Sequence, residues 1–353
     1  MKHVEIEAFL DGKKRGQIVF DVRTPAEFAK GHIPGAKNLP LFLDEERVVV
    51  GTLYKQEGRH RAILEGLDYV GPRMRELIET VQREVGPPGS SVMVHCWRGG
   101  MRSASVAWLL EMYGFEVSVL TGGYKSFRRW VVGGLEDPPP MRVVGGATGV
   151  GKTEILWELE RLGESVLDLE GLANHRGSAF GGLLLEEQPT QEHFENLLGV
   201  ALARARGMAG PVWIEDESRM IGHRHLSNAV MASIHGSPTY VVAAPEEARL
   251  DRLVEVYGEA AREQLVASFE RIRKSLGGLR TQQAIEAVQA GDLRRAAALA
   301  LQYYDKAYAR GIGRRAPETV VYLDEEGDPK AVARGLIARC GKDDARDVQG
   351  EDV

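Results

Sequence analysis

The stretch Arg142-Val143-Val144-Gly145-Gly146-Ala147-Thr148-Gly149-Val150-Gly151-Lys152-Thr153 decides how the chain is read. It opens on a short apolar run of buried-strand length. Residues 146–153 then fit the pattern G-x-x-x-x-G-K-[ST], and a helical pattern follows from Glu154 to Leu162. In such a strand–loop–helix turn, Gly146, Gly149 and Gly151 let backbone N–H groups wrap a diphosphate. Lys152 reaches the outer oxygens, and Thr153 is placed to ligate Mg²⁺. ATP hydrolysis does not follow from the loop alone. Downstream, Val212-Trp213-Ile214 runs into Glu215-Asp216-Glu217, three carboxylates at a strand end. They are candidates for acid or metal-side groups, with a capped strand end as the plainer reading.

Working outward, short apolar runs alternate with helical stretches on both sides of this loop. Before it come Ile18-Val19-Phe20, Val92-Met93-Val94 and Val117-Ser118-Val119-Leu120. After it come Ser165-Val166-Leu167, Tyr240-Val241-Val242 and Val320-Val321-Tyr322-Leu323. Strand–helix alternation implies parallel sheets with helices on both faces. Gly133-Gly134-Leu135-Glu136-Asp137-Pro138-Pro139-Pro140 separates the two series, because three prolines extend neither a helix nor a central strand. The fold class is therefore α/β, with two such domains in series: 1–135, and 140–245 completed by 316–340. Between those last two pieces, 246–315 reads as helical, an insertion or cap on the second domain. Residues 342–353, rich in acids and poor in apolar side chains, are expected to form a disordered tail.

The chain has 353 residues, 45 basic and 51 acidic, for a net charge of −6, which argues against indiscriminate coating of nucleic acid. The charge is uneven. Residues 271–315 hold ten basic residues and three acidic ones. Within an acidic protein that concentration marks one face for a large polyanion, or else a solvated helix surface. No run of 18 apolar residues is present, so no membrane-spanning helix is expected. The first residues lack the apolar core of a secretory signal, which makes the cytoplasm the default location. The two cysteines, Cys96 and Cys340, fit neither a disulfide framework nor a zinc spacing.

Cys96 has unusual neighbours. Val92-Met93-Val94-His95 runs into Cys96-Trp97-Arg98-Gly99-Gly100-Met101-Arg102-Ser103, and a helical pattern follows. This turn aims N–H groups and the positive end of a helix dipole into the loop, a cradle for a tetrahedral oxyanion that also lowers the pKa of a thiol at its rim. Trp97, Arg98, Gly99 and Gly100 make up the anion loop, and Arg102 offers a bidentate fork to the anion.

Asp21-Val22-Arg23-Thr24-Pro25-Ala26-Glu27-Phe28 and Gly31-His32-Ile33-Pro34-Gly35-Ala36-Lys37-Asn38-Leu39-Pro40, together with the cysteine loop, closely resemble the signature of rhodanese-like domains, which carry sulfur or selenium on the loop cysteine. The Cys-x5-Arg spacing is one residue longer than is common in sulfur-transferring members. It is similar to cysteine-dependent phosphatases of the same fold, and it suits a phosphate-sized anion. The second domain is of P-loop NTPase-like type. The fusion of the two, with Glu215-Asp216-Glu217-Ser218-Arg219, Gln188-Pro189-Thr190-Gln191, Arg273-Lys274-Ser275-Leu276-Gly277-Gly278-Leu279-Arg280-Thr281 and Tyr303-Tyr304-Asp305-Lys306-Ala307-Tyr308, resembles the bacterial tRNA 2-selenouridine synthase family.

That resemblance implies replacement of the 2-thio sulfur of a wobble uridine in the tRNA anticodon arm by selenium. Selenophosphate is the implied selenium donor, and geranyl diphosphate supplies a geranyl group that first makes the sulfur a better leaving group. Cys96 and Arg102 are then expected to serve selenophosphate, and Lys152 and Thr153 the prenyl diphosphate. Arg273, Lys274 and Arg280 are expected to grip tRNA phosphates, and Tyr303, Tyr304 and Tyr308 are weaker candidates for stacking on a base. The rival readings are a cysteine phosphatase and a P-loop kinase with a regulatory rhodanese domain. Each leaves half of the chain unexplained.

Overall fold

The computed structural model describes residues 1–326 and 328–350. The chain divides into two compact units. The first comprises Met1–Gly133 with Glu195–Val200, and the second holds the other described residues.

The first unit is built on strands β1 (Lys2–Val4), β2 (Ile18–Asp21), β3 (Lys37–Asn38), β4 (Ser91–His95) and β5 (Glu116–Leu120). Their order is β1-β5-β4-β2-β3, and every pairing is parallel. β4 lies in the middle, and Val92, Met93, Val94 and His95 are all buried. Burial on both faces accounts for its unbroken apolar run. The chain leaves β2 toward one edge of the sheet and β4 toward the other. A crevice therefore opens at the carboxyl ends of β2 and β4, the place where open α/β sheets bind ligands. Asp21 ends β2 and Cys96 follows β4.

The second unit contains β6 (Met141–Gly145), β7 (Val166–Leu167), β8 (Val212–Glu215), a hairpin of β9 (Met220–Ile221) and β10 (Arg224–His225), then β11 (Thr239–Ala243) and β12 (Val320–Glu326). The five-stranded sheet runs β12-β11-β6-β8-β7, again all parallel. The glycine-rich loop leaves the central strand β6 and enters the helix Lys152–Arg161. β8 lies beside β6, so Glu215 at its end stands next to that loop. Ile155, Leu156 and Leu159 of the loop's helix share a core with Val332, Leu336 and Cys340 of the helix Pro329–Gly350. Cys340 is thus a packing residue.

Residues 246–315 hold the helices Glu246–Tyr257, Arg262–Arg271, Arg273–Leu276, Gly278–Ala290 and Leu293–Ile312. They pack around Leu265, Phe269, Ala284, Val288 and Ala300, a core that Phe180 and Leu183 join from outside the segment.

One expectation is corrected. Gly123–Glu136 runs as one helix through Gly133 and Gly134 and ends before Pro138-Pro139-Pro140, while the tail differs from its reading. Helix propagation costs little once a helix is nucleated, and a prolonged stop needs the prolines. Residues 342–350, expected as a disordered tail, continue the helix Pro329–Gly350, whose first turns are anchored in the core by Val332 and Leu336. Residues 351–353 lie outside the described residues. Among the described residues, no helix is long and apolar enough to cross a membrane.

Two candidate anion-binding sites

The cysteine loop is built from three segments of the first unit. Cys96 is 3% exposed, and its Sγ lies 3.2 Å from Ser103 Oγ. Burial pushes the thiol pKa up. Hydrogen bonds from the Ser103 hydroxyl and from the backbone N–H groups of Ser103, Arg98 and Gly100 outweigh burial, and the net shift is downward. The Ser103 hydroxyl has a single proton, and Gly100 O lies 3.1 Å away as a second acceptor. Ionising the thiol turns that proton to sulfur, so the serine adapts to either state. Gly123 closes the loop from outside. Its φ is +59°, and a Cβ there would run into the Cys96 carbonyl and the amides of Arg98 and Gly99. Tyr124 N and Lys125 N, just beyond, donate to the carbonyls of Cys96 and Trp97.

The segment after β2 supports this loop through charge. Asp21 and Arg23 form a buried ion pair at 2.6 Å, with Arg23 also donating to Gly31 O and lying 3.7 Å from the Tyr124 ring centroid. Burial raises the Asp21 pKa, but His95 and Arg23 more than offset that, so it is lowered. His95 itself is fully buried, and burial lowers its pKa below the usual imidazole range.

Thr24 and Glu27 form a capping box at the start of the helix Pro25–Lys30. The same Glu27 carboxylate takes both arms of Arg102, at 2.6 and 3.2 Å. The Arg102 fork, expected to be open to an anion, is therefore already occupied. The capping box fixes Glu27 where the fork must meet it. Arg98 is exposed on the loop and Trp97 is half-buried against Tyr124.

The second site surrounds the phosphate loop. Gly146, Gly149 and Gly151 take φ of +148°, +81° and +91°, the region that favours glycine. Lys152 Nζ donates to Gly146 O at 3.1 Å, and Thr153 Oγ1 lies 3.3 Å from Glu170 Oε2. Two arginines from the helix Glu246–Tyr257 brace the loop: Arg249 donates to Thr148 O at 2.8 Å and Arg252 to Gly149 O at 2.6 Å. The three expected carboxylates separate in role. Asp216 pairs with Arg315. Glu215 is buried, accepts from Glu170 N at 2.8 Å, and is pushed far up by burial and by Asp168 and Glu170. Glu217 is raised to about 8 by burial and by Glu170. The Glu170 and Glu217 carboxyls thus hold a proton between them near neutrality. Among the described residues, no three His, Cys, Asp or Glu side chains are arranged to hold a metal ion.

A cavity of about 970 Å³ opens from this loop. Lys152, Thr153, Glu170 and Glu217 line one part, and Phe180, Leu265, Phe269, Val288 and Ala300 another. Tyr304 and Tyr308 also line it.

Of the basic residues, Arg273, Lys274 and Arg280 are exposed, with Arg273 paired to Glu270 at 2.6 Å. Several others serve the structure: Arg294 pairs with Glu247 and Asp251, and Arg315 reaches Asp216. The excess of positive charge on this segment is smaller at the surface than in the sequence. Glu170, Arg249, Arg252 and Arg315 were not singled out from sequence, since none stands beside a motif. Ser103 and Glu27 were quoted only as parts of longer motifs.

Residues 139–335 match the tRNA 2-selenouridine synthase AAA domain, and residues 5–129 match the rhodanese-like domain. The chain is 37% identical to the tRNA 2-selenouridine synthase of Marinobacter nauticus, over 91% of its own length and 94% of the relative's. It is 35% identical to the one from Shewanella loihica, over 91% and 93%. With the one from Cronobacter sakazakii the identity is 40%, over 69% and 65%. Both domains match in sequence order and the first two alignments span more than nine-tenths of each chain, so this chain belongs to the tRNA 2-selenouridine synthase family.

Proposed function

We propose that this chain replaces the sulfur of a wobble 2-thiouridine in tRNA with selenium, using geranyl diphosphate and then selenophosphate. In the first step the sulfur attacks C1 of the geranyl group. The C–O bond breaks, diphosphate leaves with the electron pair, and the base loses its N3 proton. In the second step the selenium of selenophosphate adds at C2, geranyl thiolate departs with the electrons of the broken C–S bond, and water takes up the phosphoryl group as the Se–P bond breaks, leaving phosphate and selenium on the base.

Each loop suits one donor. The phosphate loop presents glycine N–H groups and Lys152 to a diphosphate, and its cavity continues over apolar side chains. The cysteine loop offers a thiol loosened by backbone N–H groups, and its Cys-x5-Arg spacing suits a small tetrahedral anion. Cys96 would relay or bind selenophosphate, with Arg102 and Glu27 setting the charge at its rim. Lys274 and Arg280, exposed, would meet tRNA phosphates, and Arg273 would join them if it released Glu270. A Mg²⁺ accompanying the diphosphate would draw on Thr153 and Glu170, the oxygens beside Lys152.

The observation that carries this reading is one chain holding two unlike oxyanion loops, one with a thiol and one with an apolar extension. The test is mass spectrometry of thiolated tRNA incubated with the protein, geranyl diphosphate and selenophosphate, each omitted in turn. Geranylated nucleoside should accumulate without selenophosphate, and selenium should enter only when both donors are present. Selenium incorporation at an equal rate without geranyl diphosphate would refute the order of steps. ATP consumption coupled to product would favour a kinase-like use of the phosphate loop.

A further inference from the structure

The cavity beside the phosphate loop reaches into the core of the helical segment. Leu265, Phe269, Val288, Ala296 and Ala300 line the cavity and also belong to that segment's apolar cluster. Protein interiors are close-packed, with few voids larger than a water molecule. An apolar cleft of this size that opens to solvent exposes hydrocarbon that a ligand would cover. Alanines create the hollow: Ala296, Ala297 and Ala300 stand at i, i+1 and i+4 of the helix Leu293–Ile312 and all face the cavity. The helices Arg262–Arg271, Gly278–Ala290 and Leu293–Ile312 contribute no charged side chain to its lining, and from Leu265 to Leu301 their lining residues are all apolar, the hydroxyls of Tyr304 and Tyr308 lying beyond that stretch. A nucleotide base would leave its ring nitrogens and exocyclic groups without partners against such a wall. A hydrocarbon would not.

We propose that the apolar wall between Leu265 and Leu301 is an isoprenoid-tail site, and that Ala296 and Ala300 set how long a tail it accepts. This rests on the reading that the phosphate loop takes a prenyl diphosphate. It adds the residues that select the chain. The diphosphate sits on the loop at Lys152, and the tail lies in the helical segment along the alanine face. A leucine in place of Ala300 fills the space that the distal isoprene unit occupies, while the loop stays unchanged. Filling a void with a methylene-rich side chain tends to hold or raise thermal stability, so loss of tail binding and loss of fold move in opposite directions.

The experiment uses the full chain and measures binding of inorganic diphosphate, dimethylallyl diphosphate (C5), geranyl diphosphate (C10), farnesyl diphosphate (C15) and ATP. The Ala300→Leu and Ala296→Leu variants are compared with the parent, each with its thermal midpoint recorded. The parent should bind the C10 compound about 10³-fold more tightly than the C5 compound, since five more carbons are buried. In Ala300→Leu that advantage should fall at least tenfold, with diphosphate and C5 affinities and the midpoint unchanged or higher. Val288→Ala, which enlarges the same wall, should improve C15 relative to C10.

A parent that binds ATP in preference to every prenyl diphosphate would overturn both this inference and the reading beneath it. A parent that prefers C10 while both leucine variants keep that preference would overturn the tail site alone. A leucine variant whose midpoint drops and which loses inorganic diphosphate as well would show that these alanines are only packing residues, which also defeats the inference.

Discussion

The cysteine loop and the phosphate loop start from the same device, a strand running through a glycine-bearing turn into a helix, yet they differ in what their N–H groups face. In the first, amides of Arg98, Gly100 and Ser103 point at the protein's own sulfur, and Glu27 closes the adjacent arginine fork. In the second, Lys152 donates to the carbonyl of Gly146 in its own loop and lies close enough to Glu170 and Glu217 to lower their pKa values against burial. One is tuned to hold a negative charge on the protein. The other is open to a negative charge brought by a ligand. Backbone geometry makes both oxyanion sites, and the residue at the turn decides whose anion is held.

The largest effect separates the two at the thiol. Cys96→Ser should keep geranylation and reduce selenium incorporation by at least about 10³-fold, the scale seen when a nucleophile is removed. Nucleoside mass spectrometry reads both products from one reaction. Selenation at the parent's rate would end the distinction drawn between the loops. Lys152→Ala acts on the other side. Removing a charged partner of a bound anion costs about 2–4 kcal/mol, so geranyl diphosphate affinity should fall roughly 10²-fold. The rate at which Cys96 reacts with an alkylating reagent should not change.

Both loops were readable from sequence because their backbones demand glycine and their chemistry demands one cysteine or one lysine at a fixed place. The sheets were readable too, since buried parallel strands such as β4 and β6 leave unbroken apolar runs. Short elements were not: Lys37–Asn38 and the hairpin at 220–225 are held by their neighbours and carry no pattern of their own. Partners distant in sequence were equally hidden. Glu27 meets Arg102 across 75 residues and Arg315 meets Asp216 across 99. The basic segment misled by count, because a sequence shows the charges on Arg294 and Arg315 but not the acids that cancel them.

A third difference lies in protonation. The cysteine loop lowers a pKa, whereas the phosphate loop stands beside carboxyls whose pKa values rise. Glu217 goes from an ordinary 4.5 to about 8 in the folded protein. Between those values the native state holds a proton that the unfolded chain has released, so stability falls as pH climbs from about 4.5 to about 8. Urea midpoints across that window should decline in the parent and decline less in Glu217→Gln, which carries the proton's equivalent permanently. Identical slopes would show that this carboxyl is ionised in the fold. Bound diphosphate, being anionic, should raise this carboxyl further and carry the parent's decline to higher pH.

The smallest effects test how the two loops are supplied with their nucleic acid. Each phosphate neutralised by a free cation contributes about 0.9 to the slope of log affinity against log salt on duplex, and about 0.7 on single strands. Lys274→Ala and Arg280→Ala should each lower the slope for tRNA by nearly that amount. Arg273→Ala should lower it less, since binding must first release Glu270, and part of the charge is already compensated. Arg294→Ala is the control: its guanidinium serves Glu247 and Asp251, so its loss exposes two acids on the same face and should weaken binding without releasing a counterion of its own. Equal slopes for all four variants would place the tRNA elsewhere. A ranking of Arg280 and Lys274 above Arg273 would show that pairing on the surface, and not the number of basic residues, sets the strength of the polyanion face.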